Sequence, residues 1–381
     1  MCLAQFLLSC SFVAGSARAQ DLIAAKDIPA AVRILDNAPL KNSLPCNIHL
    51  PKKTHLDFMF RYTSGFWIEC RLGLIQPGMR LLGLVRITPR DSQPVLMIKV
   101  FDIPQPRYSI SLHNLTVQMS GGFSLGPGKY LLEVVLFDQH GHSCREQRKL
   151  KTGEDKVSKI APLALGPGVV APPFKARWDG ALANSGLRVT VLLHAYSPGR
   201  PRISALDRAY LLQSLTALLG QVPCQSVKLI AFNLDRQEEV FREDSFDADG
   251  FVRLERALEQ MELATIPYQA LMHGSWAKFL VDMTRKEATL KRPPDAVIFL
   301  GAWGSHEWDK LPTDTASSFE GSDTHFFYFE YFEPAQLGHG KDGLERLIKE
   351  LHGSAFVVWS PETLAQAIKR MLAQMSGAPR L

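Results

Sequence analysis

Two periods of apolar and polar residues divide the chain. From Cys46 to about Thr152 the pattern is that of strands, with side chains alternating between two faces. Thr54–Tyr62 places Leu56, Phe58 and Phe60 on one face. Gly65–Leu72, Arg80–Thr88, Pro94–Phe101, Tyr108–Met119 and Lys129–Asp138 read as further strands. Turn residues separate them at Gln76-Pro77-Gly78, Pro89-Arg90-Asp91, Gly121-Gly122 and Gly126-Pro127-Gly128. Roughly seven short strands over about 100 residues predict an antiparallel β-sandwich.

From Arg188 the period changes. Arg188–His194 is a continuous apolar run, as expected of a strand buried on both faces. Ile203–Leu219 carries an apolar stripe at helical spacing. Strands are expected at Ser226–Asn233, Asp295–Gly301, Thr324–Glu330 and Ser354–Trp359, with Glu238–Arg242 as a hairpin-like edge. Helices are expected at Phe251–Leu263, Tyr268–Ala288, 342–352 and 361–375. Asp247 is placed to cap one of them. Ser360 and Pro361 supply the cap and first turn of the last. Strands alternating with helices predict an α/β domain with a mostly parallel, doubly wound, Rossmann-like sheet. The boundaries read as 1–19, 20–45 (an extended leader), 46–152, 153–185 (a Pro/Gly-rich linker), 186–376 and a tail at 377–381.

The first nineteen residues change the picture of compartment. Leu3–Gly15 is mostly apolar and ends at Ala17-Arg18-Ala19, the small-x-small pattern of a signal peptidase site, although no positive region precedes it. Export is the expectation, to the periplasm or the cell exterior. Cys46, Cys70, Cys144 and Cys224 then remain, with no C-x-x-C spacing to suggest zinc or thioredoxin chemistry. Among the possible pairings, Cys46–Cys144 would tie the two ends of the first domain. Of 381 residues, 46% are hydrophobic and 21% charged, and the net charge is +5. Both signs are mixed along the chain, so no basic face for nucleic acid is indicated. No apolar run approaches the roughly 20 residues that span a bilayer.

Leu125-Gly126-Pro127-Gly128-Lys129-Tyr130 resembles the tyrosine corner of immunoglobulin-like domains, although Leu132 stands where their cysteine would be. Over about 185–376 the order of elements resembles a von Willebrand factor A domain. Val227–Asn233 is similar to that family's second strand, and Ala264–Leu271 to its threonine loop. The resemblance implies a divalent-metal site at the strand C-termini, built from an Asp-x-Ser-x-Ser loop, a threonine and a second aspartate. Those positions fall here on His194, Tyr196, Pro198, Thr265 and Gly301. Proline and glycine supply no side-chain ligand, and a neutral imidazole suits magnesium poorly. The site reads as degenerate, without a metal or other cofactor.

Binding candidates at this edge are His194, Tyr196, Ser197, Arg200, Thr265, Trp303, His306 and Trp308. Trp, Tyr and Arg are the side chains that dominate protein-binding hot spots. The leading expectation is an exported, non-catalytic protein that binds a protein partner. Two alternatives stand beside it. One is a zinc-dependent hydrolase using His194, His306 and Glu307. The other is a cation-dependent adhesion domain with altered ligands.

Overall fold

The structure, a computed structural model, describes residues 20–376 apart from 40–41, 72–74, 76–77, 104–115, 154–156, 173–175, 198–199, 201, 264–267, 269–274, 303, 305–309 and 332–341. The expected signal segment and the tail lie outside the described residues. The chain forms two compact units. One runs through Asp57 and continues with Arg61–Asp155 and Leu163–Lys175. The other comprises Phe58–Phe60, Lys156–Pro162 and Ala176–Leu381.

The N-terminal unit holds two antiparallel sheets. The first is ordered β1 (Asp21–Leu22), β6 (Val95–Asp102), β5 (Arg80–Pro89), β8 (Gly128–Phe137), β9 (Ser143–Thr152). The second is ordered β10 (Val170–Ala171), β7 (Thr116–Leu125), β4 (Tyr62–Arg71), β2 (Cys46–His49), with β3 (His55–Leu56) also pairing β4. Apolar residues of both sheets share one core, including Phe66, Ile68, Val85, Phe123, Leu132 and Val134. The opposite face of the first sheet is covered as well. Helix α1 (Ile28–Asp36) sets Ala31 and Leu35 against Leu82, Leu84, Val135 and Phe137. The expected extended leader thus contains a helix. Buried Glu133 on β8 is neutralised by Arg86 and Arg145, and Arg86 also reaches Asp36 of α1.

The tyrosine at the start of β8 bonds back to the chain before it: Tyr130 Oη donates to the Gly126 carbonyl at 2.8 Å. The disulfide differs from expectation. Cys46 pairs with Cys70, not Cys144. The two cysteines face each other across β2 and β4, 4.3 Å apart at Cα. The bridge therefore joins neighbouring strands of one sheet, whereas the immunoglobulin pattern joins two sheets. Cys144 and Cys224 are free and buried.

The second unit contains a six-stranded sheet, ordered β13 (Glu238–Glu243), β12 (Cys224–Asn233), β11 (Leu187–His194), β14 (Ala296–Ala302), β15 (His325–Tyr331), β16 (Ser354–Val358). The helices are α2 (Ala205–Gln221), α3 (Ala248–Gln260), α4 (Trp276–Ala288), α5 (Gly343–Glu350) and α6 (Pro361–Met375). The doubly wound, Rossmann-like α/β class expected here is corrected. Among the described residues the chain is mostly β, in three sheets, two antiparallel and this one mixed, with six helices. β13 runs antiparallel to β12 because only Leu234–Gln237 connect them, far too short for a crossover. One face of the sheet packs Leu192, Ile230, Val297, Phe299 and Tyr328 against Leu280 of α4 and Leu347 of α5. Caps match the sequence pattern. Asp247 accepts from Gly250 N–H at 2.7 Å, and Ser360 and Thr363 form a reciprocal capping box.

Candidate functional site

The C-terminal ends of β11, β14 and β15 lie side by side. Register pairs His194 with Gly301, and Gly301 with Glu330. Open sheets with parallel strands gather ligands at this edge.

His194 is fully buried. Its ring lies between Phe232, 5.2 Å away between centroids, and Tyr196, 5.4 Å away and nearly parallel at 4°. Beyond it the chain is held tightly. Ala195 N–H donates to the Phe232 carbonyl, and the buried Asn233 amide donates to the Ala195 carbonyl at 2.7 Å. Ser197 is 2% exposed, and its hydroxyl donates to Asp207 in the first turn of α2. Asp207 also accepts from Ser204 Oγ at 2.7 Å, and its own N–H donates back to Ser204 Oγ at 3.1 Å. Ser197 is thus used to fix the loop on the helix N-terminus. Arg200 is exposed.

The position of the expected second aspartate is closed. A Cβ built on Gly301 would lie 2.5 Å from His194 Cβ and 3.1 Å from the His194 carbonyl oxygen. Any residue but glycine at 194 carries that same Cβ. Side chains cannot therefore stand at both 194 and 301 unless the strand ends part.

Two carboxyl groups that the sequence reading missed lie near this edge. Asp342 is 1% exposed and caps α5. Its Oδ1 accepts from Glu345 N–H at 2.8 Å, while Oδ2 accepts from Tyr328 Oη at 3.0 Å and Gly304 N–H at 3.2 Å. Burial raises its pKa, and these hydrogen bonds oppose the rise. Glu330 is 3% exposed, and among the described residues its Oε1 has no hydrogen-bond partner. Burial, and then the charges of Asp342 and Glu345, push its pKa up to about 8. The available signals were Glu330 as a lone charge inside the aromatic run Phe326–Phe332 and Asp342 just before Gly343, a helix-capping position. The Ser197–Asp207 spacing offered no such cue.

Of the expected site residues, His194 ends β11, and Tyr196, Ser197 and Arg200 follow directly after it. Thr265, Trp303, His306, Glu307 and Trp308 lie outside the described residues. Among the described residues no group of three or more His, Cys, Asp and Glu side chains is placed to hold a metal ion. Among the exposed large apolar side chains of this unit are Leu206, in the first turn of α2, at 55%, and Tyr268 at 68%, with Trp359 at 57% just before α6.

No protein-family model matches the chain, and no curated protein matches it. Among solved structures it is similar to the conserved hypothetical protein BatB from Bacteroides thetaiotaomicron, at 14% identity and a TM-score of 0.34, over 51% of this chain and 100% of that one. An aerotolerance-related membrane protein from Bacteroides fragilis matches at 13% identity and a TM-score of 0.32, over 50% of this chain and 100% of that one. A superoxide reductase from Ignicoccus hospitalis matches at 14% identity and a TM-score of 0.19, over 29% of this chain and 81% of that one. At these identities and scores the likenesses assign the chain to no family and no activity.

Proposed function

We propose that this chain is an exported, non-catalytic protein that binds a protein partner through the strand-end face of its C-terminal unit, without a metal ion. The observation that carries the reading is the closure at Gly301. The backbone spacing at His194 leaves no room for a pair of carboxylates across β11 and β14. The local likeness of these strand ends to a von Willebrand factor A metal site serves here only to locate the ligand-gathering edge. At that edge the chain offers fixed backbone, the exposed Arg200 and the half-exposed Leu206, with Tyr268 on the connection between α3 and α4. Such side chains suit a protein partner better than a reacting small molecule.

Thermal unfolding with magnesium, manganese, calcium and zinc tests the reading. A bound ion at 100 times its dissociation constant would stabilise by about 2.7 kcal/mol. The expected result is no shift with any ion, and a complex recovered by cross-linking from envelope extract that survives chelator and weakens in Arg200→Ala and Tyr268→Ala. A zinc shift abolished by His194→Ala would sink the proposal and favour the hydrolase alternative.

A further inference from the structure

The N-terminal unit carries a concave pocket built without any residue of the candidate site. It has a volume of about 700 Å³, within the usual range for small-ligand sites. Its floor is an aromatic platform. The Trp67 indole stacks on the His49 ring, with centroids 5.0 Å apart and planes 11° from parallel. The two residues face each other across β2 and β4, which sets the stack. Trp67 remains 39% exposed. Gly65, two residues earlier on the same face of β4, has no side chain to cover the ring.

Cations surround this platform. The exposed Lys52 and Lys53 and the partly buried Arg148 line the pocket, together with the His55 imidazole. Among the described residues neither lysine nor Arg148 forms an ion pair. The carboxylate of Glu69 is engaged by His49 Nε2 at 3.3 Å. At Trp67, β4 is paired to β2 on one side and to β7 on the other, so no backbone edge is open there for an added peptide strand. What the floor presents is an apolar ring face beside positive charge.

We propose that this pocket binds an acidic saccharide. A pyranose ring lays its C–H face on Trp67, and its carboxylate or sulfate groups accept hydrogen bonds from Lys52, Lys53 and Arg148.

Calorimetric titration of the purified full chain with a galacturonate hexamer, a chondroitin sulfate hexamer and neutral cellohexaose tests this. At least one acidic oligomer should bind, with cellohexaose weaker by about tenfold or more. Trp67→Ala should weaken that binding by about tenfold, while Trp67→Phe keeps most of it. Lys52→Ala combined with Lys53→Ala should weaken it and flatten its salt dependence. Both tryptophan variants alter a partly exposed ring, and their melting curves check the fold. Failure of both acidic oligomers to bind at millimolar concentration overturns the proposal. So does binding that Trp67→Ala leaves unchanged, or cellohexaose binding as tightly as the acids.

Discussion

Glu330 links a single side chain to the stability of its whole unit. Its value in the folded protein, about 8, lies above the 4.5 of a free glutamate carboxyl. Between those two pH values the unfolded chain has released a proton that the folded chain still holds. Stability therefore falls as pH rises through that window, and the loss is complete above about 8. The amount is on the order of 5 kcal/mol at most. In Glu330→Gln the slope should vanish, and the variant should exceed the parent at pH 9 by urea denaturation. A parent slope that persists in the variant would remove Glu330 as its source. The free thiols give a second test at this scale. Burial pushes Cys144 and Cys224 up to about 12, so both should resist alkylation in the native state and react on unfolding, as read by mass spectrometry. Little of this was legible beforehand. A lone glutamate among aromatics reads as a strand residue until the packing shows its carboxyl shut away from water, and His194 gave no sign of the rings that enclose it.

At the scale of elements, periodicity carried most of the second half: β11, β12, β14, β15 and the caps of α3 and α6 fall close to where hydrophobic spacing and capping residues put them. The misses have local causes. Helix α1 was hidden because its short apolar stripe follows Pro-poor, mixed sequence after an apolar leader. Gly121-Gly122 read as a turn, yet both lie inside β7 opposite Phe66 and Gly65 of β4. The tertiary reason is visible. A Cβ on Gly121 would lie 2.3 Å from Phe66 Cζ, so the glycine makes room for a core ring from the next strand. Gly121→Ala should therefore cost about 1–3 kcal/mol, the range for overpacking a core. Denaturant titration checks it, and a cost near zero would mean that Phe66 repacks freely. Register also decided the disulfide, because only pairing across β2 and β4 brings Cys46 to a partner.

At the scale of the molecule, composition could show that there was material for two cores but not how the first sheet is covered. That sheet is buried on both faces, by the second sheet and by α1, and the Cys46–Cys70 bridge closes a 24-residue separation at its neighbour. Reduction should lower the stability of the N-terminal unit by about 3 kcal/mol on loop entropy. Hydrogen exchange in β4 and β7, with and without reductant, reads this directly, and unchanged protection would count against it.

The closure between His194 and Gly301 also bears on ancestry and engineering. A carboxylate installed at either position alone meets a neighbouring backbone that does not accept it or finds no companion. Installing both crowds two Cβ atoms into the space of one. Single substitutions thus offer no downhill route to a metal site at this edge. The strands would first have to move apart, and selection acting one residue at a time has nothing to reward along that path.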